Sequence, residues 1–347
     1  MRNVTIVGAG VVGQATGKGL LGVGNAVRFV DVIPAVIERM GAEGYDAVYP
    51  DQHDWNSAEI TMLSVNTPTI ENRIDLSNLM TAIKTVGRGL ADGREPHTVV
   101  VRSTIPPTTT LTLIRPLLEA SSGRQVGADL HLAFCPEFLR QARANDDFAK
   151  PWIHVIGAAD EVAGAILQEL VAPFDAPVVR TDPTTAETIK YAHNLYNATK
   201  ISFFNEFHLV CERLGIDSRL VSKTVALSAE ASWNPEYGIR GGAPYGGACL
   251  PKDTAAFLDF ATRLGIEMPV LAGTIRTNTI IGARATSVGV PVFAPASRAT
   301  GANGNGHAKT NGNGHAKVNG NGHAKTNGIG GEDRRSPLLA LVGPPDS

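Results

Sequence analysis

Over its first 180 residues the chain alternates short β-branched runs with helix-patterned segments, and few folds accept that order. Residues 4–7, 26–30, 60–65, 98–101, 131–134 and 153–156 read as strands. Segments 11–21, 76–90 and 109–118 carry helical spacing between them. A helix between two strands brings the second back parallel to the first, so the pattern predicts a parallel sheet covered on both faces.

The first strand runs into Gly8-Ala9-Gly10-Val11-Val12-Gly13. Alone, GxGxxG is a weak signal. Here it ends a strand and opens a helix, which identifies a Rossmann-type βαβ unit and a dinucleotide site. Gly8 permits the tight turn, Gly10 lets backbone approach a pyrophosphate, and Gly13 lets helix and strand pack closely. Val11 and Val12 open the helix, whose N-terminal amides face the phosphates. Asp31 ends the second strand. Its carboxylate can accept from an adenosine ribose and would repel a 2′-phosphate, so NAD is expected rather than NADP.

From Thr184 to Leu214 there is neither Pro nor Gly, and apolar residues recur at helical spacing: Ile189, Ala192, Leu195, Ala198, Ile201. This predicts one helix of about 45 Å. Gly215 ends it and Asp217 caps the next. More helix is expected over 254–264 and from Pro269 to about 281. Three regions follow: a cofactor-binding sheet over 1–183, a helical central region over 184–285, and a tail over 286–347. In the tail, GNGHAKTN, GNGHAKVN and GNGHAKTN begin at Gly304, Gly312 and Gly320. Such sequence cannot bury apolar surface and reads as a disordered tether. His307, His315 and His323 could hold a metal only weakly, and no metal site is predicted.

Composition removes other classes. Net charge is −2, so nothing favours nucleic acid or an anionic membrane as partner. No apolar run reaches the roughly 20 residues of a membrane span, and no signal peptide is read before Val4. Cys135, Cys211 and Cys249 are widely spaced and odd in number, which fits a reduced, cytoplasmic protein.

The most informative chemistry is Gly246-Gly247-Ala248-Cys249-Leu250-Pro251-Lys252-Asp253. A cysteine after a glycine loop, where a helix starts, is placed to react as a thiolate, and Asp253 lies one turn on. The competing interpretation is a buried structural cysteine. Lys190 and Asn194 stand i, i+4 on the long helix, with Lys200 and Glu206 further along it. An ammonium and an amide aimed at one place can stabilise an oxyanion; otherwise they form a solvated face. Ser103-Thr104-Ile105-Pro106-Pro107 and Pro136-Glu137-Phe138-Leu139-Arg140 follow strands, at ends where α/β sheets bind ligands.

Together these segments resemble the UDP-glucose/GDP-mannose dehydrogenase family over roughly residues 1–282. The resemblance rests on GAGVVG, VNTP at Val65, RSTIPP at Arg102, PEFLR at Pro136, AETIKYAHN at Ala186, KISFFNE at Lys200 and GGACLPKD at Gly246. It implies oxidation of a nucleotide sugar's primary alcohol to the carboxylate with two NAD. Cys249 would attack the aldehyde, Lys190 and Asn194 would hold the oxyanion, and Asp253, Thr104 and Glu137 would handle water and protons. Thr67, Pro68 and Thr104 would join the glycine turn around NAD. Glu137, Phe138, Leu139, Lys190, Asn194, Tyr237 and Gly246 would meet the sugar. The family also implies a homodimer through the long helix.

Three departures stand out. Gln141 replaces a second Glu, Cys135 replaces an Asn, and a C-terminal nucleotide-binding domain is expected to be missing. The alternatives are a partner chain that completes the substrate site, a smaller alcohol substrate, or a non-catalytic homologue that pairs with another chain.

Overall fold

The computed structural model describes residues 1–287 apart from Arg94 and Arg240; the repeats with His307, His315 and His323 lie outside the described residues. The first half of the chain builds one eight-stranded sheet. In chain order its strands are β1 (Asn3–Val7), β2 (Ala26–Val30), β3 (Ala47–Val48), β4 (Ile60–Leu63), β7 (His97–Val101), β8 (Leu130–Phe134), β9 (His154–Ala158) and β10 (Val178–Thr181). A small hairpin pairs β5 (Thr69–Ile70) with β6 (Arg73–Ile74) through Glu71 and Asn72, both at positive φ. The helices are α1 (Val11–Gly22), α2 (Pro34–Ala42), α3 (Ser77–Leu90), α4 (Arg115–Ser122), α5 (Ala144–Ala149) and α6 (Glu161–Val171).

The sheet order is β10-β9-β8-β7-β4-β1-β2-β3. Its pairings are parallel except at β8 and β9, which run antiparallel. This corrects the expectation of a wholly parallel sheet. The reason lies in the connection 135–153. Its only α-helix, α5, has six residues and rises about 9 Å, whereas a five-residue strand spans about 17 Å. Too short to carry the chain back along the sheet, α5 packs on α1 with Phe148 against Gly19, and the chain enters β9 from the end where β8 stops.

Alternation along each buried strand sends side chains to two different cores. Ile6 and Val100 join Phe29 and Leu20 on the face covered by α1, α5 and α6. Val99, Val101 and Phe134 join Ile83 and Leu90 on the face covered by α3 and α4. The segment expected as a helix over 109–118 opens differently: a π-helical turn, Thr110–Ile114, precedes α4.

The helical region begins with α7 (Pro183–Leu214), one residue earlier than the periodicity predicts. Asp182 caps it by accepting from Thr185 N at 3.0 Å, and Gly215 ends it at φ +70. Asp217 caps α8 (Ser218–Ser228), as its position predicts. The short α9 (Glu230–Trp233), α10 (Leu250–Arg263) and α11 (Pro269–Ser287) follow. Val210, Ala261 and Met268 form a small cluster near the far end of α7, with Phe207 stacked on Phe257 at 5.0 Å. Glu206 joins α7 to α11, accepting from Val270 N at 2.5 Å and Leu271 N at 3.2 Å. No described helix is long and apolar enough to cross a membrane.

Candidate active site

A cavity of about 760 Å³ opens at the C-terminal ends of β1, β4 and β7, beside the start of α1. Its glycine turn is shaped by two different constraints. Gly8 sits at φ +89, and a Cβ there would lie 2.8 Å from the Ser64 carbonyl oxygen. At Gly13 a Cβ would strike the Gly8 oxygen at 1.9 Å. At Gly10, by contrast, a Cβ meets nothing of the chain within 4 Å. That open space is what a closely approaching phosphate needs. No side chain caps α1, so Val11, Val12 and Gly13 offer the helix's first amides to an anion.

Asp31 lines the same cavity and has a second role that the sequence did not suggest. Its Oδ2 accepts from Ala9 N at 2.7 Å and its Oδ1 from Ile33 N at 2.9 Å, so it also holds the glycine turn. A carboxylate keeps lone pairs for a ribose beyond these two bonds. The far end of the cavity is walled by Thr67, Ser103, Thr104 and Glu137. Thr67 Oγ1 donates to the Thr104 carbonyl at 2.9 Å, and Ser103 Oγ donates to the Val65 carbonyl at 2.6 Å. Pro68 is not in the cavity wall; its carbonyl accepts from Asp75 N at 2.7 Å. Trp55 and the α3 residues Asn78, Thr81 and Thr85 do line it, and sequence analysis missed them. Their signal was weak: a polar i, i+3, i+7 stripe on α3.

The long helix brings Lys190 to this edge. Lys190 is buried and donates from Nζ to the Glu137 carbonyl at 2.6 Å and to Glu137 Oε1 at 2.9 Å. It also stands 5.5 Å from the centre of the Phe138 ring, which His193 approaches at 4.7 Å. Glu137 Oε2 accepts from Leu139 N at 2.7 Å. Four of the expected residues, Glu137, Phe138, Leu139 and Lys190, thus come together. Burial, aided by Lys190, lowers the His193 pKa.

Behind them lies a smaller cavity of about 80 Å³, which Arg102 and Glu137 share with the first. Burial pushes the Cys135 thiol there up to about 11 and the His154 imidazole down to about 4. Cys135 is therefore a poor nucleophile near neutral pH.

The cysteine loop occupies a different place. Cys249 is exposed and is the N-cap residue of α10, so the helix starts just after it, close to the expected position. Asp253 N donates to the Cys249 carbonyl at 2.8 Å, and Asp253 pairs with Lys252 at 3.1 Å, which holds Lys252 above its ordinary pKa. Tyr245 is tied to Asn278 of α11 by two hydrogen bonds, 2.7 and 3.0 Å, which anchor the loop. Cys249, Asp253, Tyr237, Gly246 and Asn194 line neither cavity, and all five are exposed. Among the described residues no group of three or more His, Cys, Asp or Glu side chains is placed to hold a metal ion.

Residues 50–175 match the NAD binding domain of the UDP-glucose/GDP-mannose dehydrogenase family, and residues 184–280 match its central domain. A UDP-glucose 6-dehydrogenase of Haloferax volcanii is 33% identical over 300 residues, covering 79% of this chain and 69% of that protein. The chain belongs to the UDP-glucose/GDP-mannose dehydrogenase family. A GDP-mannose 6-dehydrogenase of Pseudomonas savastanoi pv. phaseolicola is 37% identical over 224 residues, covering 64% of this chain and 51% of that one. The chain thus spans about half the length of that relative. A ternary complex of GDP-mannose dehydrogenase from Pseudomonas aeruginosa superposes with a TM-score of 0.77 at 30% identity, covering 83% of this chain and 70% of that one.

Membership agrees with the cofactor read from the glycine turn: the family's first domain binds NAD. That match starts at residue 50, so the turn at Gly8–Gly13 stands on its own geometry. The open face at Gly10, the uncapped start of α1 and Asp31 beside it fit a dinucleotide. Of the two most specific family motifs, the cysteine loop and KISFFNE, neither reaches the cofactor cavity; PEFLR does, through Glu137, and AETIKYAHN bonds that residue through Lys190.

Proposed function

We propose that this chain oxidises the primary alcohol of a nucleotide sugar to the carboxylate. Residues 1–183 serve as the cofactor domain and 184–285 as the helical catalytic and dimerisation domain. The observation that carries the proposal is the buried Lys190–Glu137 pair at the edge of the NAD cavity, which joins two family motifs 53 positions apart at one point. Held at the Gly8–Gly13 turn and Asp31, NAD would supply the hydride acceptor for each of the two oxidations. Cys249 Sγ adds to the carbonyl carbon of the aldehyde formed first, and the resulting thiohemiacetal is oxidised to a thioester. Water then breaks the carbon–sulfur bond, releasing the acid and restoring the thiol. Lys190 and Asn194 donate hydrogen bonds to the oxygen that gains charge. Thr104, Glu137 and Asp253 orient water and move protons. Phe138, Leu139, Tyr237 and Gly246 contact the sugar.

Relatives named for GDP-mannose and for UDP-glucose match at similar identity, so the substrate class is a nucleotide sugar without a specified base. A homodimer through α7 belongs to the same proposal. Because the chain spans about half of the first relative, a separate chain supplying further nucleotide contacts, or a substrate with a smaller handle, is the second reading. Remote binding energy helps align the reacting carbon, so without such contacts UDP-glucose should bind poorly.

The test is a panel of nucleotide sugars with NADH counted per sugar consumed. Two NADH are expected for the wild type. Cys249→Ala should abolish acid formation while NAD still binds. Full turnover by that variant would end the nucleophile role. Asp31→Ala should narrow the preference for NAD over NADP by about tenfold, since it removes a carboxylate that repels a 2′-phosphate.

A further inference from the structure

Helix α7 carries a second buried carboxylate that the chemistry above leaves unused. Glu187 lies one turn before Lys190 and is completely enclosed. Its Oε1 accepts from Thr110 N at 2.7 Å and from Thr110 Oγ1 at 2.5 Å, while Oε2 is buried without a partner. Thr110 opens the π-helical turn, and Thr109 before it gives no side-chain cap. A carboxylate from a helix 77 positions away therefore caps this turn. Burial raises the Glu187 pKa, against the pull of the Thr110 bonds.

The backbone just before this clamp is strained. Thr108 sits at φ +78, a left-handed conformation that a β-branched residue rarely adopts. Such a conformation persists only where the surroundings over-determine it. The strap from Ser103 to Thr109 explains what is held. It leaves β7, carries Ser103 and Thr104 along the wall of the NAD cavity, and returns through Thr108. At its near end Ser103 bonds the Val65 carbonyl and Thr104 accepts from Thr67. At its far end the clamp is Glu187.

We propose that Glu187 is a positioning residue that sets the strap 103–109 against the NAD cavity and fixes it relative to Lys190. The inference rests on the NAD reading of that cavity. It gives a reason for the otherwise costly choice of a buried carboxylate on α7: one helix holds both the end of the strap that leads to the cavity wall and the Lys190–Glu137 pair. Glu206 supplies an internal control. It is also buried on α7 and also caps a helix start, at Val270 and Leu271, but that start belongs to α11, no residue of which lines either cavity.

The experiment uses the full chain and three variants, Glu187→Ala, Glu187→Gln and Glu206→Ala. NAD affinity is measured by calorimetry well below each melting temperature. Hydrogen exchange is followed over 103–112 without NAD. Glu187→Ala should weaken NAD by about tenfold, because a preorganised wall is lost. Glu187→Gln keeps an acceptor for Thr110 and should stay within about threefold of wild type. Glu206→Ala should lower the melting temperature yet leave NAD affinity unchanged. In cofactor-free Glu187→Ala, strap 103–112 should lose protection while residues 3–7 keep theirs.

Unchanged NAD affinity in Glu187→Ala, or equal weakening in Glu206→Ala, would overturn the positioning role. A strap that stays protected in Glu187→Ala would overturn the clamp itself. If the wild type binds no NAD at millimolar concentration, the cofactor reading falls, and exchange still decides whether Glu187 holds the strap.

Discussion

In the sheet region Ile6, Phe29, Ile60, Leu63, Leu79, Ile83 and Phe134 are wholly enclosed, whereas beyond residue 200 the described buried hydrophobics are Val210, Cys211, Ala261, Met268 and Ala285. The contrast is sharpest along α7. Its first turns bury Ala186, Glu187 and Lys190, and its last bury Val210 and Cys211. Between them Leu195, Tyr196 and Ile201 are each 62% exposed. The sheet satisfies its own hydrophobic pattern inside one chain. The helices carry an apolar pattern that the described residues do not cover, and large exposed apolar faces mark surfaces that meet something else. The proposed homodimer supplies that cover.

The largest effects should come from the self-sufficient half. Phe29→Ala should lower unfolding free energy by about 4 kcal/mol, the usual loss for an aromatic cut out of a closed core. Urea denaturation checks it. A loss near zero would show that the sheet core is looser than its burial implies.

Acid should act mainly on the same half. His97 is 3% exposed on β7, bonded to Thr61 Oγ1 at 2.9 Å, and burial pulls its pKa down to about 4. Between pH 6.5 and 4 the unfolded chain takes up a proton that the folded chain refuses. Stability present above pH 6.5 is therefore lost as pH falls towards 4, by about 3 kcal/mol at the acid end. His97→Gln should flatten that slope. An unchanged slope in urea midpoints from pH 7 to 4.5 would assign the effect elsewhere, His154 being the next candidate.

The exposed half should respond to partner loss instead. Leu195→Glu with Ile201→Glu should weaken self-association by about 100-fold while the melting transition of the sheet stays put. Light scattering at micromolar concentration reads this. A wild-type monomer under those conditions would remove the dimer and leave the bare face unexplained. Smaller still is Val210→Ala in the distal cluster, about 2 kcal/mol, and only if that cluster melts with the sheet. A separate, earlier transition in this variant would show that the two regions unfold independently.

Several site features were legible before folding because their causes are local. Gly8 must reach positive φ, Gly13 must avoid its own turn, and Gly215 must end a helix; each constraint acts within a few residues. The start of α10 beside Cys249 is of the same kind. Lys190 and Glu137 are not. Each was selected by its motif, and nothing near either residue says that they meet. Glu187 stood in a quoted motif without a role, since its partner Thr110 lies 77 positions away. The same contact holds the first residue of the π-helical turn with which the expected helix over 109–118 begins.

By itself, the sequence determined much of the local backbone: six of the eight strands of the sheet, the long helix, where the glycine turn bends, and that a cysteine heads a helix. Periodicity and φ preference suffice for that, because they act over one or two turns. Only the tertiary structure decided that β9 runs against β8, that Glu137 holds Lys190 at the cavity, that Glu187 clamps the strap, and that the middle of α7 stays bare. These depend on which distant residues come within bonding distance, and a strand or a carboxylate shows the same local pattern whichever neighbour it finally meets.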